Sequence, residues 1–167
     1  ASAPVLLSLT SRPVTATTCT QASSHASVNM SRPDRMYSCG GKKPYYWKHA
    51  HSSDWPSNLP PSTLFDSIFG SSGGYGAGVT LKNVVEFDTT DGKNGVACHL
   101  VAAVLNARKS WTPLEVLSEI TAKNIWASFV SLGYYEPTAG IKWYPAYSVP
   151  DSPTGGLVAW IRTTMPA

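Results

Sequence analysis

Thirteen consecutive residues, Val96 to Arg108 (VACHLVAAVLNAR), carry a single formal charge, and that charge is the last of them. At helical periodicity this stretch is apolar nearly all round, so it has no face to give to water and must be a buried central helix. Val101, Val104 and Leu105 are predicted at its core. It is far shorter than the ~18 apolar residues of a membrane span, and no other apolar run in the chain is longer.

The remaining segments read as shorter elements packed around that axis. Ser62 or Thr63 would cap a helix over 64–69, stopped by Gly70. Residues 70–78 read as a flexible Gly/Ser/Tyr loop, without the Lys-Ser or Lys-Thr pair of a phosphate-binding loop. Thr80 would cap a helix over 81–87. Thr112-Pro113 offers another start, with Pro at the first position. Ser118 would cap an amphipathic helix carrying Ala122, Ile125, Trp126, Phe129 and Val130, ended by Gly133. A last helix, about 156–164, lines up Leu157, Trp160, Ile161 and Thr164. The expected fold is mainly α: four or five short helices wrapped by long aromatic loops, with an extended N-terminal arm.

Residues 1–38 differ from residues 39–167, which form the helical, aromatic-rich domain. Val5, Leu7 and Leu9 alternate with other side chains, as in an extended strand, and a polar Ser/Thr/Ala tract follows. Such an edge has little of its own arm to pack against. It is read as an intersubunit contact that docks on another copy, with folding back on its own domain as the rival. Beyond Cys39, two loops concentrate aromatic rings. Tyr46, Trp47, His51 and Trp55 define a structural aromatic loop, in which His51 is expected to point inward and be hydrogen-bonded.

Cys19, Cys39 and Cys98 fit no zinc or haem spacing. In an oxidising compartment two would pair. The favoured bridge is Cys39–Cys98, because both flank core-like segments, and in the chain-entropy model it would contribute roughly 4 kcal/mol. Cys19 would then be free for an intersubunit bond. The alternative is a local Cys19–Cys39 bridge with Cys98 buried on the apolar helix.

Charged residues make up only 14% of the chain and the net charge is +3, too weak and unclustered for a nucleic-acid footprint. Low charge with abundant Ser, Thr, Pro and Tyr suggests a secreted or surface protein. The start at Ala1-Ser2-Ala3 is read as the mature end of an exported chain. There is no Gly-x-Ser-x-Gly elbow, no His-Glu-x-x-His and no marked carboxylate pair. Accordingly no enzymatic activity, cofactor or metal is expected, although His49, His51 and His99 with a free Cys are the residues a metal would use.

Tyr46-Trp47-Lys48, His51 and Trp55-Pro56 resemble the YWK-x-H-x-x-x-WP signature of a loose group of secreted bacterial proteins, with one residue more between Trp47 and His51. His99-Leu-Val-Ala-Ala-Val-Leu-Asn106-Ala resembles that group's HxxAAxLNA helix. Residues 133–143 and 160–165 resemble its later blocks. The resemblance covers about residues 39–165 and implies an exported bacterial domain, without an activity. The function expected is an extracellular structural protein, a self-associating subunit of a filament, pilus-like fibre or surface layer. The alternatives are a monomeric secreted carbohydrate- or ligand-binding module and a secreted enzyme or metal protein.

Overall fold

The computed structural model describes residues 18–22, 37–145 and 156–166. Within them lie the two-residue strands β1 (Thr18–Cys19) and β2 (Tyr37–Ser38) and the helices α1 (Pro44–His49), α2 (Phe65–Phe69), α3 (Leu81–Val85), α4 (Gly92–Arg108) and α5 (Glu119–Leu132). A hairpin of β3 (Tyr135–Thr138) and β4 (Ile141–Trp143) and the helix α6 (Gly156–Thr163) follow. The architecture is mainly α. Among the described residues no helix is long and apolar enough to cross a membrane.

α4 is the axis. Every residue from Gly95 to Ala107 is buried, and α1, α3, α5 and α6 pack directly on it. Val101, Val104 and Leu105 are each at most 1% exposed, in agreement with the sequence pattern. The helix starts one turn earlier than expected. Gly95 permits this: a Cβ there would lie 2.5 Å from the carbonyl carbon of Thr90.

The other boundaries follow local chemistry. Thr80 Oγ1 accepts the Asn83 N–H while Asn83 Oδ1 accepts the Thr80 N–H, a reciprocal cap that starts α3. α3 ends at Val85, and Asp88 then takes a left-handed turn with φ 42°. Ser118 Oγ accepts the Thr121 N–H to open α5, and Gly133, at φ 79°, closes it. Neither Ser62 nor Thr63 caps α2, whose N-cap is Leu64. Thr112-Pro113 starts no helix; the Val116 and Leu117 N–H groups turn back onto Pro113 O.

Two stretches read as aromatic loops contain regular structure. The first holds α1, with Pro44 at its start, and a single 3-10 turn at Ser52–Asp54. The second is the β3–β4 hairpin, antiparallel and irregular between Tyr135 and Thr138, where Pro137 has no N–H to pair. The 70–78 segment is also pinned. Trp126 Nε1 donates to Ser71 O at 2.9 Å, and the Tyr75 ring stacks on Trp126 with centroids 6.1 Å apart.

The disulfide corrects the favoured pairing. Cys19 is bonded to Cys39, not Cys39 to Cys98, and Cys98 is a buried free thiol. Cys98 lies mid-wall in a helix that is enclosed on all sides, and its Sγ faces Thr89 O at 3.3 Å and Gly95 O at 3.4 Å. Cys19 instead lies in β1 and Cys39 directly follows β2, with Thr18 opposite Ser38 and Cys19 opposite Tyr37. Cys19 is therefore committed within its own chain and is not an intersubunit cysteine. Cys19 and Ala22 join the common core, and Trp160 Nε1 donates to Thr20 O at 3.1 Å. Val5, Leu7 and Leu9 lie outside the described residues.

Candidate functional site: an aromatic groove braced by a buried asparagine

The two motifs at 46–56 and 99–107 meet through one side chain. Asn106, fully buried on α4, accepts the Lys42 N–H at 2.9 Å and the Trp47 indole N–H at 3.3 Å through Oδ1. Its Nδ2 donates to Lys42 O at 2.9 Å. An amide supplies one acceptor with two lone pairs and two donor hydrogens, so it can hold both the N–H and the carbonyl of a single residue. The backbone carbonyl of Asn106 accepts the Trp111 N–H at 2.9 Å, and Trp111 O accepts the Gly40 N–H at 2.8 Å. Gly41 is required by this closeness: a Cβ would lie 2.5 Å from Thr164 O and 2.9 Å from Asn106 Nδ2.

Trp47 is the anchor of α1. It is fully buried, stacked on Trp111 at 5.5 Å and edge-on to Trp55 at 5.8 Å. With Trp47 facing inward, the helix turns Tyr45 and His49 outward, four residues apart, with ring centroids 4.5 Å apart. Between them and the preceding Lys42-Lys43 opens a groove of about 630 Å³, lined also by Asp54. Lys42 Nζ lies 5.8 Å from the Tyr46 ring. Asp54 is engaged, since its carboxylate accepts the His51 N–H at 3.1 Å.

The sequence-selected residues separate here. Trp47 and Trp55 are buried and Tyr46 is half-buried against Trp111. His51 departs from expectation. It is exposed, and its backbone, not an inward ring, carries the 3-10 turn. The turn is closed through the His51 N–H to the Asp54 carboxylate, so it asks nothing of the imidazole. His49 is exposed as well, while His99 is buried on α4, so the three histidines do not converge. Among the described residues no three His, Cys, Asp or Glu side chains form a metal-sized cluster.

Cys98 and His99 are adjacent and buried, with Sγ 3.4 Å from Nδ1. They are a poor nucleophile pair. Burial pushes the Cys98 thiol up to about 11 and pulls the His99 imidazole down to about 4, so both are neutral at pH 7. His99 Nδ1 lies 2.8 Å from Gly95 O and must donate to it, which leaves that nitrogen unable to take a thiol proton. Its Nε2 is buried without a hydrogen-bond partner.

Tyr45 stands in the sequence as one of many aromatic rings, and nothing there marks Lys42, Lys43, Tyr45 and Asp54 as lining a common groove. The available signal was Pro44, a favoured first helical residue, followed one turn later by a large apolar ring at Trp47. Comparisons of this chain with protein-family models, with curated proteins and with solved structures returned no match.

Proposed function

We propose that this chain is an extracellular structural protein, a subunit of a filament, pilus-like fibre or surface layer that self-associates through its N-terminal segment. The observation that supports this most directly is the Cys19–Cys39 bridge beside the β1–β2 pairing. A disulfide of this kind belongs to an oxidising compartment. It also fixes, on the domain, the point at which residues 1–17 join. That segment contains the Val5, Leu7, Leu9 alternation and no acidic residue. Fully extended at ~3.3 Å per residue it would span roughly 55 Å. A domain of this size has a radius of gyration of about 15 Å, so the reach is enough to meet a neighbouring copy. An extended segment gains affinity from backbone hydrogen bonds and specificity from alternate side chains. Repeated head to tail, such a contact propagates as a fibre unless it closes into a ring.

The test is deletion of residues 1–12. The truncated protein should keep its helical circular dichroism and its melting temperature, and should fail to form the assemblies that negative-stain microscopy finds for the full chain. A full-length chain that stays monomeric at high concentration refutes the proposal. So does a truncation that melts far lower, because the segment would then belong to its own core.

A further inference from the structure

We propose that the groove beside Tyr45 binds a hexuronate ring of an acidic polysaccharide. Its volume, about 630 Å³, lies within the ~300–1,000 Å³ of small-molecule sites and has room for more than one sugar ring. Tyr45 is 62% exposed although it is a large aromatic on a helix braced against the core. Its ring is steadied by His49. A pyranose presents a face of weakly positive C–H bonds, which suits the negative face of an aromatic ring held open to water.

Charge selects the sugar class. Lys42 and Lys43 line the groove, and among the described residues neither has an ion-pair partner. The acid in the groove, Asp54, already accepts the His51 N–H. Asp54 keeps its negative charge, but two lysines against one carboxylate leave the groove with an excess of positive charge, which favours a carboxylate on the ligand. Asn106 holds the backbone of Lys42 through its N–H and its carbonyl, so the chain from which Lys42 projects is fixed before the ligand arrives. The same charge argues against the N-terminal segment as occupant, because residues 1–17 carry Arg12 and no acid.

Isothermal titration of the full-length chain with trigalacturonate, beside saturation-transfer NMR, tests this. Maltotriose is the neutral control. Expected is a Kd below about 1 mM for trigalacturonate and much weaker binding of maltotriose. Tyr45→Ala and the pair Lys42→Met, Lys43→Met should each weaken binding about tenfold without moving the melting temperature. Salt at about 1 M, where the Debye length is ~3 Å, should weaken it too. Neither heat nor saturation transfer, equal affinity for maltotriose, or indifference to Tyr45→Ala overturns the proposal. Displacement of the sugar by a synthetic peptide of residues 1–12 also overturns it and reassigns the groove to a second copy.

Discussion

Asn106 joins the central helix to the groove, and its replacement tests that architecture most sharply. Asn106→Leu keeps the volume and removes the amide. The Lys42 N–H, the Lys42 carbonyl and the Trp47 indole N–H then lose their partner together. Each buried polar group left unpaired costs about 1–3 kcal/mol. Lys42 is only half-buried, so water recovers part of its loss, and a total of about 3–5 kcal/mol is expected. For a chain of this length that lowers the melting temperature by roughly 10 °C. Asn106→Asp adds a sign. A protonated carboxyl can donate to Lys42 O as the amide does, whereas a carboxylate faces that carbonyl with like charge. The carboxyl's folded pKa is raised, so this variant should match the wild type at low pH and lose stability as the pH climbs through the ordinary carboxylate range. Guanidinium denaturation followed by tryptophan fluorescence, run at pH 4 and pH 7, measures both. An Asn106→Leu variant within about 1 kcal/mol of wild type would show that the amide does not brace the groove.

Four further outcomes follow from the geometry. His99 is buried and its folded pKa is lowered to about 4, so the unfolded chain takes up the proton first. Stability should be complete above pH ~6.5 and should fall toward pH 4 by up to about 3 kcal/mol, whereas His99→Met should flatten that slope in urea titrations across the range. Reducing the Cys19–Cys39 bridge, or Cys39→Ser, opens a loop with a separation of 20 residues; a loss of about 3 kcal/mol should appear as a lower melting temperature under dithiothreitol. Gly41→Ala places a methyl against Thr164 O and Asn106 Nδ2 and should cost about 1–3 kcal/mol, read from the same fluorescence melts. Leu105→Ala, at a fully buried position, should cost about 2–5 kcal/mol in equilibrium unfolding.

Elements whose burial or capping is written locally were legible in the sequence. α4 announces itself because no face of it is polar. α5 carries both of its signals, Ser118 and Gly133, at the ends of a clean apolar stripe, and α6 sets Leu157, Trp160 and Ile161 one turn apart. α1 was not legible, because six residues are too few for a period and Pro44 reads equally as a loop. The β3–β4 hairpin hid for a related reason: Pro137 interrupts the alternation, and the turn rests on Gly140 at φ 83°. The disulfide turned on position in space. Cys39 and Cys98 both border core, but only Cys19 is brought opposite the segment containing Cys39 by strand pairing. The groove was least visible of all. Its lysines and tyrosine matter through what Asn106, some 60 residues away, does to the chain beneath them.

The bridge between Cys19 and Cys39 also decides how the protein responds to being pulled. Strands of two residues each would peel apart one hydrogen bond after another, at small force. With the sulfurs joined, tension applied at Thr18 bypasses that pairing and enters the backbone at Cys39. There the Gly40 N–H is held by Trp111 O and the Lys42 peptide by Asn106. The pull is thereby spread across contacts that reach the end of α4 and must yield together. An oxidised chain should resist extension as a block, and a reduced one should give way first at its N-terminal root.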